Sequence, residues 1–424
     1  MNGIEVGRWS SRPGGEHQFR YHDAWLAMPG AVPLSLSMQL SSDLFKGDIV
    51  RNYFDNLLPD SAGIRRRIQG RLGTASDQPF DLLAAMGGDC VGALQIYPAT
   101  EAPPDVRTIT SDPVDDRAIA EQLASHEMRP LGMVREGAFR ISIAGAQEKT
   151  AFLRCDDGWH RPHGATPTSH IFKLPIGIHD GIDLSESVAN EWLCLRIAEA
   201  MGLPVAAAEL HRFAGSQVLV VARFDRQWSS DGSWLMRLPQ EDLCQAMGYS
   251  PAIKYEHLGG PGVSESLQLL RETADPEVDC ATFFRAMVVF WLLAAPDGHA
   301  KNFSIALRPG GTCRLTPLYD IISVHPMLMK GQMHPYDVSM AMAVTGKSRH
   351  YKWDIIRRRH WLATAKKALF SVESAGEILR DVAARVQSLD AVVRGQLPEG
   401  FPSSVADSIL AGVAATAARL DDAD

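Results

Sequence analysis

The sequence lacks three features that would by themselves assign it to a special class of protein. It has no apolar run approaching the ~20 residues of a membrane-spanning helix, and its first residues form no signal-peptide pattern. Its six cysteines are scattered without a C-x-x-C pair, which suits a reducing compartment rather than a disulfide framework. The net charge of −8 argues against indiscriminate binding of nucleic acid over the whole surface. We therefore expect a soluble, cytoplasmic protein without a membrane partner.

The composition is that of a globular protein with more than one domain. With 424 residues, 46% of them hydrophobic, the chain can bury a large core and form two or three domains. We predict an N-terminal module at residues 1–100, a strand-rich part at 135–226 and a largely helical part at 227–424. In the N-terminal module, strand patterns lie at residues 18–21, 25–28 and 93–97, and a helix pattern lies at 47–58.

The stretch 297–302, Asp-Gly-His-Ala-Lys-Asn, places a carboxylate five residues ahead of a carboxamide. It follows an apolar segment, 287–295, which we predict to be a buried helix stopped by Pro296. The catalytic loop of protein kinases has the same Asp-x-x-x-x-Asn spacing. There the Asp accepts or orients the proton of the attacking hydroxyl, and the Asn helps to hold Mg²⁺. Alone, the spacing is better explained by a capped helix end and a turn, but other kinase elements follow in the expected order.

Asp320 lies eighteen residues after Asn302, beyond a predicted strand at 303–307 and a turn at 309–311. A second Asp after a hairpin fits the kinase residue that bridges the metal ion to the phosphates, although Ile-Ile follows here. Mg²⁺ prefers oxygen ligands and keeps several waters, so one Asn and one Asp are sufficient protein ligands. The alternative is a turn residue that caps the next segment.

Lys173 is a lysine within an apolar strand pattern, residues 169–176. A buried lysine must either reach water or meet an anion, and a nucleotide phosphate is such an anion. A helix follows, with Ser185 as the predicted N-cap. Glu191 lies in this helix at a spacing that suits a kinase-type Lys–Glu pair, or it is simply a solvated surface residue.

Two further stretches fit nucleotide binding. The apolar run 216–225 ends at Ala222–Phe224, where a kinase hinge would contact adenine through its backbone. Residues 139–153 have two apolar arms around Ala144–Lys149, whose small residues would let backbone N–H groups approach phosphates. This loop matches neither common glycine-rich phosphate motif, and an ordinary hairpin is its default interpretation.

Together these stretches resemble the HipA family, the serine/threonine-kinase toxins of bacterial HipBA toxin–antitoxin modules. The resemblance covers nearly the whole chain and implies an α+β, protein-kinase-like fold of two lobes, the N-terminal lobe strand-rich and the C-terminal lobe largely helical. It also implies that ATP and Mg²⁺ are bound. The motifs that carry it are Ser142–Thr150, Thr166–Gly177, Arg223–Arg226, Arg237–Asp242, Asp297–Asn302 and Leu315–Asp320, with Phe54–Pro59 and Gly87–Leu94 in the N-terminal module.

The resemblance assigns roles to individual residues. It implies that Asp297 is the catalytic base, that Asn302 and Asp320 are the metal ligands, and that Ser142 is an inhibitory autophosphorylation site. Ala222 replaces an acidic residue that the resemblance leads us to expect. Unlike eukaryotic kinases, the chain has no His-Arg before Asp297. The implied ATP contacts are Ala144, Gly145, Ala146, Gln147, Glu148, Lys149, Lys173, Ala222, Arg223, Phe224, His299, Ala300, Lys301, Asn302 and Tyr319.

The resemblance also implies partners. The phosphorylated hydroxyl would belong to a translation component, with glutamyl-tRNA synthetase as the first candidate, so that loss of charged tRNA stops translation and causes dormancy or persistence. A HipB-like helix-turn-helix antitoxin would bind the kinase, and the two would repress their operon on operator DNA.

The stretch 347–367 contains eight Lys or Arg residues against Asp354 alone, a local charge of about +7 in an acidic protein. Trp353 and Trp361 lie eight residues apart, which predicts one helix with an apolar stripe and basic residues outside it. Such a helix is either merely solvated or faces phosphates, those of operator DNA or of tRNA on a synthetase.

Two other classes of function remain open. A small-molecule kinase of the aminoglycoside or choline type would share Asp297, Asn302 and Asp320, but we would expect acidic residues in its C-terminal part, where this chain has the basic stretch. A non-catalytic co-repressor would be a degenerate kinase, but the presence of Lys173 and the three residues above argues against degeneration.

Overall fold

The computed structural model describes residues 1–12, 14–101, 104–124, 149–179 and 181–420. The strands are β1 (Gly7–Ser11), β2 (His17–Tyr21), β3 (Phe45–Lys46), β4 (Ser111–Val114), β5 (Lys149–Cys155), β6 (Gly158–Pro162), β7 (His170–Lys173), β8 (Gly177–His179), β9 (Ile182–Leu184), β10 (Ala208–Phe213), β11 (Ser216–Ala222), β12 (Arg226–Trp228), β13 (Leu235–Arg237), β14 (Gln240–Asp242), β15 (Ser304–Leu307), β16 (Cys313–Leu315), β17 (Ser339–Thr345) and β18 (Arg349–Lys352). The helices are α1 (Asp23–Leu26), α2 (Asp48–Asp55), α3 (Ala62–Leu72), α4 (Pro79–Met86), α5 (Asp116–Ala124), α6 (Ser187–Ala200), α7 (Leu243–Met247), α8 (Val263–Leu270), α9 (Pro276–Leu292), α10 (His325–Met329), α11 (Arg358–Lys367), α12 (Val372–Arg394) and α13 (Ser403–Ala417).

The chain divides into two compact units. Unit 1 comprises Met1–Leu174, His211–Ala252 and Ile305–Thr312, and unit 2 comprises Pro175–Leu210, Ile253–Ser304 and Cys313–Asp424. The division into domains at 1–100, 135–226 and 227–424 stays a prediction.

The largest sheet has the strand order β10-β11-β7-β5-β6-β4. Its central strands are antiparallel, and their alternation sends Phe152 and Phe172 into a core that also contains Val218 and Val220 of β11. Helix α5 closes this core with Ile119, which is completely buried. The apolar runs around Lys173 and Val220 therefore form strands, as predicted, because one face of each is fully buried.

The N-terminal module departs from two predictions. Residues 25–28 do not form a strand; Trp25 and Leu26 belong to the short helix α1, and the Trp25 indole N–H donates to the carbonyl of Val32 at 3.1 Å. Residues 93–97 also form no strand. Both patterns are short enough that tertiary contacts override the apparent alternation. The predicted strand at 18–21 and helix at 47–58 are confirmed as β2 and α2.

A buried ion network lies within unit 1. The carboxylate of Asp89 is 2.8 Å from Arg226, 3.0 Å from Arg237 and 3.3 Å from Arg223. Asp225 adds a second carboxylate, 2.8 Å from Arg223. Although burial alone would raise it, these guanidiniums hold the pKa of Asp89 well below its usual range. The network joins Asp89 of the N-terminal module to residues 223–237. The arginines of the motifs Arg223–Arg226 and Arg237–Asp242 thus pair with buried carboxylates.

Unit 2 is largely helical, with α9, α12 and α13 as its longest helices. In the described part of the chain, no helix has the length and apolar composition needed to cross a bilayer.

The single basic helix predicted for 347–367 is wrong. The stretch contains β18, a 3₁₀ turn at Trp353–Ile355 and α11. Trp353 and Trp361 do not share a stripe; both are buried around Trp291. The indole N–H groups of Trp353 and Trp291 donate to each other's backbone carbonyls, at 2.7 and 3.2 Å. Trp353 thus lies outside α11 and is paired with a residue sixty-two positions away, which no periodicity in the sequence indicates.

Candidate active site

The loop that contains Asp297 follows the buried helix α9. This helix ends at Leu292, earlier than the predicted stop at Pro296, and its end is a Schellman motif. The N–H groups of Ala294 and Ala295 donate back to carbonyls of the last turn at 3.0 and 2.9 Å. Ala294 has a φ of 46°, a left-handed conformation that glycine usually occupies. The loop therefore starts from a rigid, fully buried point.

The carboxylate of Asp297 is held on one side only. The hydroxyl of Tyr255 donates to Oδ1, and Nε2 of His299 lies 3.5 Å from the same oxygen. The side chain of His299 is 3% exposed, whereas that of Asp297 is 51% exposed. No other hydrogen bond to this carboxylate occurs among the described residues. Oδ2 is therefore the oxygen available to an acceptor hydroxyl.

The backbone of the loop is fixed by its own amide groups. The carbonyl of Asp297 accepts from the N–H of His299 at 2.8 Å and from Nδ2 of Asn302 at 2.7 Å. Gly298 packs against the ring of Phe290, where a Cβ would lie only 2.7 Å from a ring carbon. A glycine is thus required by the close approach of the loop to α9.

Asp320 lies at the end of the segment that follows β16. Its φ of 60° is left-handed, and Asp tolerates this conformation better than most residues. Nδ2 of Asn302 is 3.5 Å from the carbonyl of Asp320, so the loop and this segment meet. Just before it, the hydroxyl of Tyr319 donates to the carbonyl of Lys301 at 3.0 Å and lies 2.5 Å from Oγ of Ser304. A left-handed residue such as Asp320, next to the polar side chains of Asn302 and Tyr319, is the kind of local strain that clusters at functional sites.

The residues fit a magnesium ion. Because Nδ2 of Asn302 faces two backbone carbonyls, its Oδ1 is directed away from them, and no hydrogen bond to Oδ1 occurs in the described ranges. Asn302 and Asp320 would together supply oxygen ligands of the type that Mg²⁺ prefers. Their role as metal ligands stays a prediction.

Two lysines meet in unit 1. Lys149 of β5 and Lys173 of β7 are directly opposite each other in the antiparallel register, so their side chains share one face of the sheet. Each is only 6% exposed. Phe172, on the other face, enters the core. Two like charges at opposite positions repel each other, and opposite charge on this face offsets that repulsion. Both lysines were predicted from the sequence as nucleotide contacts, but their position as cross-strand neighbours was not predicted.

The remaining predicted contacts are distributed as follows. Ala222 pairs with His170 at the end of β11, while Arg223 donates its backbone N–H to Ser169 at 2.9 Å and its guanidinium to the ion network. Ala300 and Lys301 are buried in a 3₁₀ turn that ends at Asn302. Phe224 is partly buried beside this network. Ser142, Ala144, Gly145, Ala146, Gln147 and Glu148 lie outside the described residues. The nucleotide contacts stay a prediction.

Sequence reasoning missed the residues that hold this site. Asn190 of α6 accepts from the N–H of Ser323 at 2.9 Å and donates to its carbonyl at 2.8 Å, which fixes the chain just after Asp320. Helix α6 itself begins at Ser187 behind Glu186, so the predicted cap by Ser185 is wrong. His325 contacts the carbonyl of Leu292 at 2.9 Å, and burial lowers the pKa of its imidazole to about 4. No spacing in the sequence could have identified these long-range partners.

A second cluster of chemically active side chains lies on the β5–β6 hairpin. Donor atoms of Cys155, Asp157 and His160 lie within 4.8 Å of one another. Asp157 is 70% exposed, and the two nitrogens of His160 already contact Asp157 at 2.8 Å and Ser111 at 3.1 Å. Hydrogen bonds within the hairpin therefore explain why these three side chains lie close together.

Comparisons with known proteins identify the family of this chain. A family model described as the HipA N-terminal domain matches residues 1–97, and one described as the HipA-like C-terminal domain matches residues 141–389. The protein Y4mE of Sinorhizobium fredii, which carries a provisional kinase name, is 34% identical over 327 residues, 76% of each chain. The serine/threonine-protein kinase toxin HipA of Shewanella oneidensis is 26% identical over 300 residues, which cover 68% of this chain and 65% of the relative.

A solved structure matches almost the whole chain. It is the complex of the Shewanella oneidensis toxin–antitoxin proteins HipA and HipB with operator DNA. The matched chain superposes with a TM-score of 0.80 at 21% identity, covering 98% of this chain and 95% of that one. The match confirms the predicted α+β, protein-kinase-like fold.

Proposed function

Because this chain belongs to the HipA family, we propose that it is an ATP- and Mg²⁺-dependent serine/threonine protein kinase, the toxin of a toxin–antitoxin module. The observation that carries the proposal is the arrangement of Asp297, Asn302 and Asp320 around one loop. The relatives named as kinases support the general activity.

The chemistry follows from the positions of the side chains. Oδ2 of Asp297 accepts or orients the proton of the attacking hydroxyl while Oδ1 stays hydrogen-bonded to Tyr255. Asn302 and Asp320 hold Mg²⁺, which supplies charge neutralisation on the nucleotide phosphates. Lys149 and Lys173 bind phosphate oxygens from their shared face of the sheet. The other nucleotide contacts in this proposal are residues 144–148, the backbone of Ala222–Phe224, His299–Asn302 and Tyr319.

The acceptor in this proposal is a hydroxyl on a translation component, with glutamyl-tRNA synthetase as the first candidate. A phosphate near the ATP site of a synthetase repels its nucleotide and stops aminoacylation, so growth arrests and dormant, persistent cells form. A HipB-like helix-turn-helix antitoxin is the proposed partner, with operator DNA bound through the complex. The Shewanella oneidensis complex, which contains HipB and operator DNA, supports this assignment.

Autophosphorylation at Ser142 is part of the proposal. A phosphate there adds about −1.5 to −2 charges close in sequence to residues 144–148, and in this proposal it repels ATP and is attracted to Lys149. Intact-mass analysis after incubation with Mg-ATP, with Asp297→Asn as the control, measures it. Active enzyme without phosphate on Ser142 contradicts this part.

Phosphoproteomics after induced expression tests the function. We expect growth arrest and one leading new phosphoserine or phosphothreonine on glutamyl-tRNA synthetase or another translation factor. Coexpression of a helix-turn-helix partner should relieve the arrest. Asp297→Asn should be harmless, whereas Asp337→Asn, at an exposed carboxylate far along the chain, should act as wild type. Phosphate found only on an aminoglycoside or a choline-like acceptor would instead support a small-molecule kinase, and intact repression without transfer would support a co-repressor.

A further inference from the structure

We propose that Tyr255 is a positioning residue for the catalytic carboxylate, holding Oδ1 of Asp297 so that Oδ2 faces the acceptor hydroxyl. The inference rests on the proposed kinase function and assigns a role to a residue outside every kinase-like motif of the sequence.

The hydrogen bond from Tyr255 is the first observation. Its hydroxyl donates to Oδ1 of Asp297, across forty-two positions of sequence and inside unit 2. The ring of Tyr255 also contacts His299 edge-on, with centroids 5.0 Å apart and an interplanar angle of 86°. His299 in turn approaches the same Oδ1 at 3.5 Å. Two aromatic side chains thus converge on one carboxylate oxygen, and they leave the other oxygen to solvent.

The segment that carries Tyr255 is itself anchored. The adjacent Glu256 is buried, and its carboxylate accepts from the backbone N–H of Ala343 and lies 3.3 Å from the guanidinium of Arg349. Gly262 packs so closely on Glu256 that a Cβ there would lie 2.5 Å from its carboxyl carbon. Glu256 therefore ties the backbone next to Tyr255 to β17.

The hydrogen bond from Tyr255 restricts the orientation of the Asp297 carboxylate, which a packing contact alone would not do. An exposed aspartate can rotate about its side-chain torsions, and each wrong rotamer turns the proton acceptor away from the hydroxyl. A donor fixed to Oδ1 restricts that rotation. The expected consequence is a loss in the rate of phosphoryl transfer without a loss in nucleotide binding, because the phenol donates to the proposed base and not to a group that this proposal assigns to the nucleotide.

The test compares initial rates of transfer from radiolabelled Mg-ATP to the acceptor that the full-length wild type labels most strongly. Tyr255→Phe removes only the hydroxyl and keeps the ring on His299. We expect kcat to fall about tenfold, with the KM for ATP and the Tm unchanged. Tyr336→Phe, which removes a hydroxyl from a tyrosine that is 60% exposed, is the matched control and should act as wild type.

A double variant shows whether Tyr255 acts through Asp297. Adding Tyr255→Phe to Asp297→Asn should cause no further loss, since the group that the phenol positions is already disabled. Tyr255→Ala should lose at least as much rate as Tyr255→Phe.

Three results would overturn the inference. They are an unchanged or faster rate for Tyr255→Phe, a fall in Tm together with a change in KM, and an additive loss in the double variant. If the wild type itself transfers no phosphate to any acceptor, the proposed function fails and this inference fails with it.

Discussion

Two carboxylates show how differently the two units use charge. Asp89 in unit 1 has a side chain that is 4% exposed and is surrounded by three guanidiniums. Asp297 in unit 2 is 51% exposed and is held by a neutral phenol on one oxygen. A carboxylate whose oxygens are all paired inside the protein cannot accept a proton from a substrate without breaking those pairs. A half-exposed carboxylate held on one side can. Both residues lie in stretches that carry the family resemblance, but only their surroundings separate the residue held in buried ion pairs from the proposed base.

The largest expected effect is on catalysis at Asp297. Asp297→Asn should reduce phosphoryl transfer by about 10²–10⁴-fold, because it removes the proton acceptor and leaves the phosphate contacts in place. The free energy of unfolding should stay nearly constant, since this side chain is half exposed. Radiolabel transfer and thermal unfolding with and without Mg-ATP measure the two quantities. Undiminished transfer would rule out Asp297 as the base.

Asp89 should show the opposite behaviour. Asp89→Asn leaves three buried arginines with one carboxylate, and breaking a buried ion pair in this way costs about 3–5 kcal/mol of unfolding free energy. Denaturant unfolding measures this loss. Asp390→Asn, in an exposed pair with Arg394, is the control and should change stability by less than about 1 kcal/mol. Equal losses for Asp89→Asn and Asp390→Asn would show that burial does not make the ion pairs of Asp89 more stabilising than an exposed pair.

A substitution at Asp320 tests whether the segment after β16 contributes a ligand to a metal ion. Asn tolerates the left-handed backbone at this position, so Asp320→Asn should keep the fold while removing the charged ligand. We expect Mg²⁺-dependent ATP binding to weaken by at least roughly tenfold, since changes to even the outer partners of a metal site cost that much. Titration of Mg²⁺ at constant ATP, followed by thermal shift, measures it. The same Mg²⁺ requirement in both proteins would exclude Asp320 as a ligand.

A third carboxylate, Glu241, should make the stability of the protein depend on pH. Burial raises the pKa of Glu241 to about 8, even though it accepts from Ser35 and from the N–H of Leu36. The native state therefore keeps a proton that the unfolded state loses, and stability should fall as the pH rises from about 4.5 to about 8.

Glu241→Gln should remove this dependence while retaining the bond from Leu36. Unfolding midpoints across this pH range, with the exposed Glu373→Gln as control, measure the difference. A wild-type curve that rises over this range would contradict the assignment.

Much of the fold could be predicted from local sequence. The run around Lys173 forms β7, the run ending at Ala222 forms β11, and the apolar stretch before Pro296 lies in and just after α9. These predictions were correct because a strand or helix that buries one face has apolar residues at regular intervals in its sequence. The prediction of one helix over 347–367 failed because the partner of Trp353 is the distant Trp291, and local periodicity contains no information on such a partner.

The sequence by itself determined which residue types were available for chemistry: the Asp297–Asn302 spacing, Asp320, and the two lysines, together with a family resemblance that the comparisons confirmed. Only the tertiary structure decided how they are used. It made Lys149 and Lys173 cross-strand neighbours, directed Arg223 into a buried network, and brought Tyr255 to Asp297. The physical reason is that spacing along a chain constrains only local geometry, whereas burial, charge pairing and the orientation of a carboxylate depend on residues far apart in sequence.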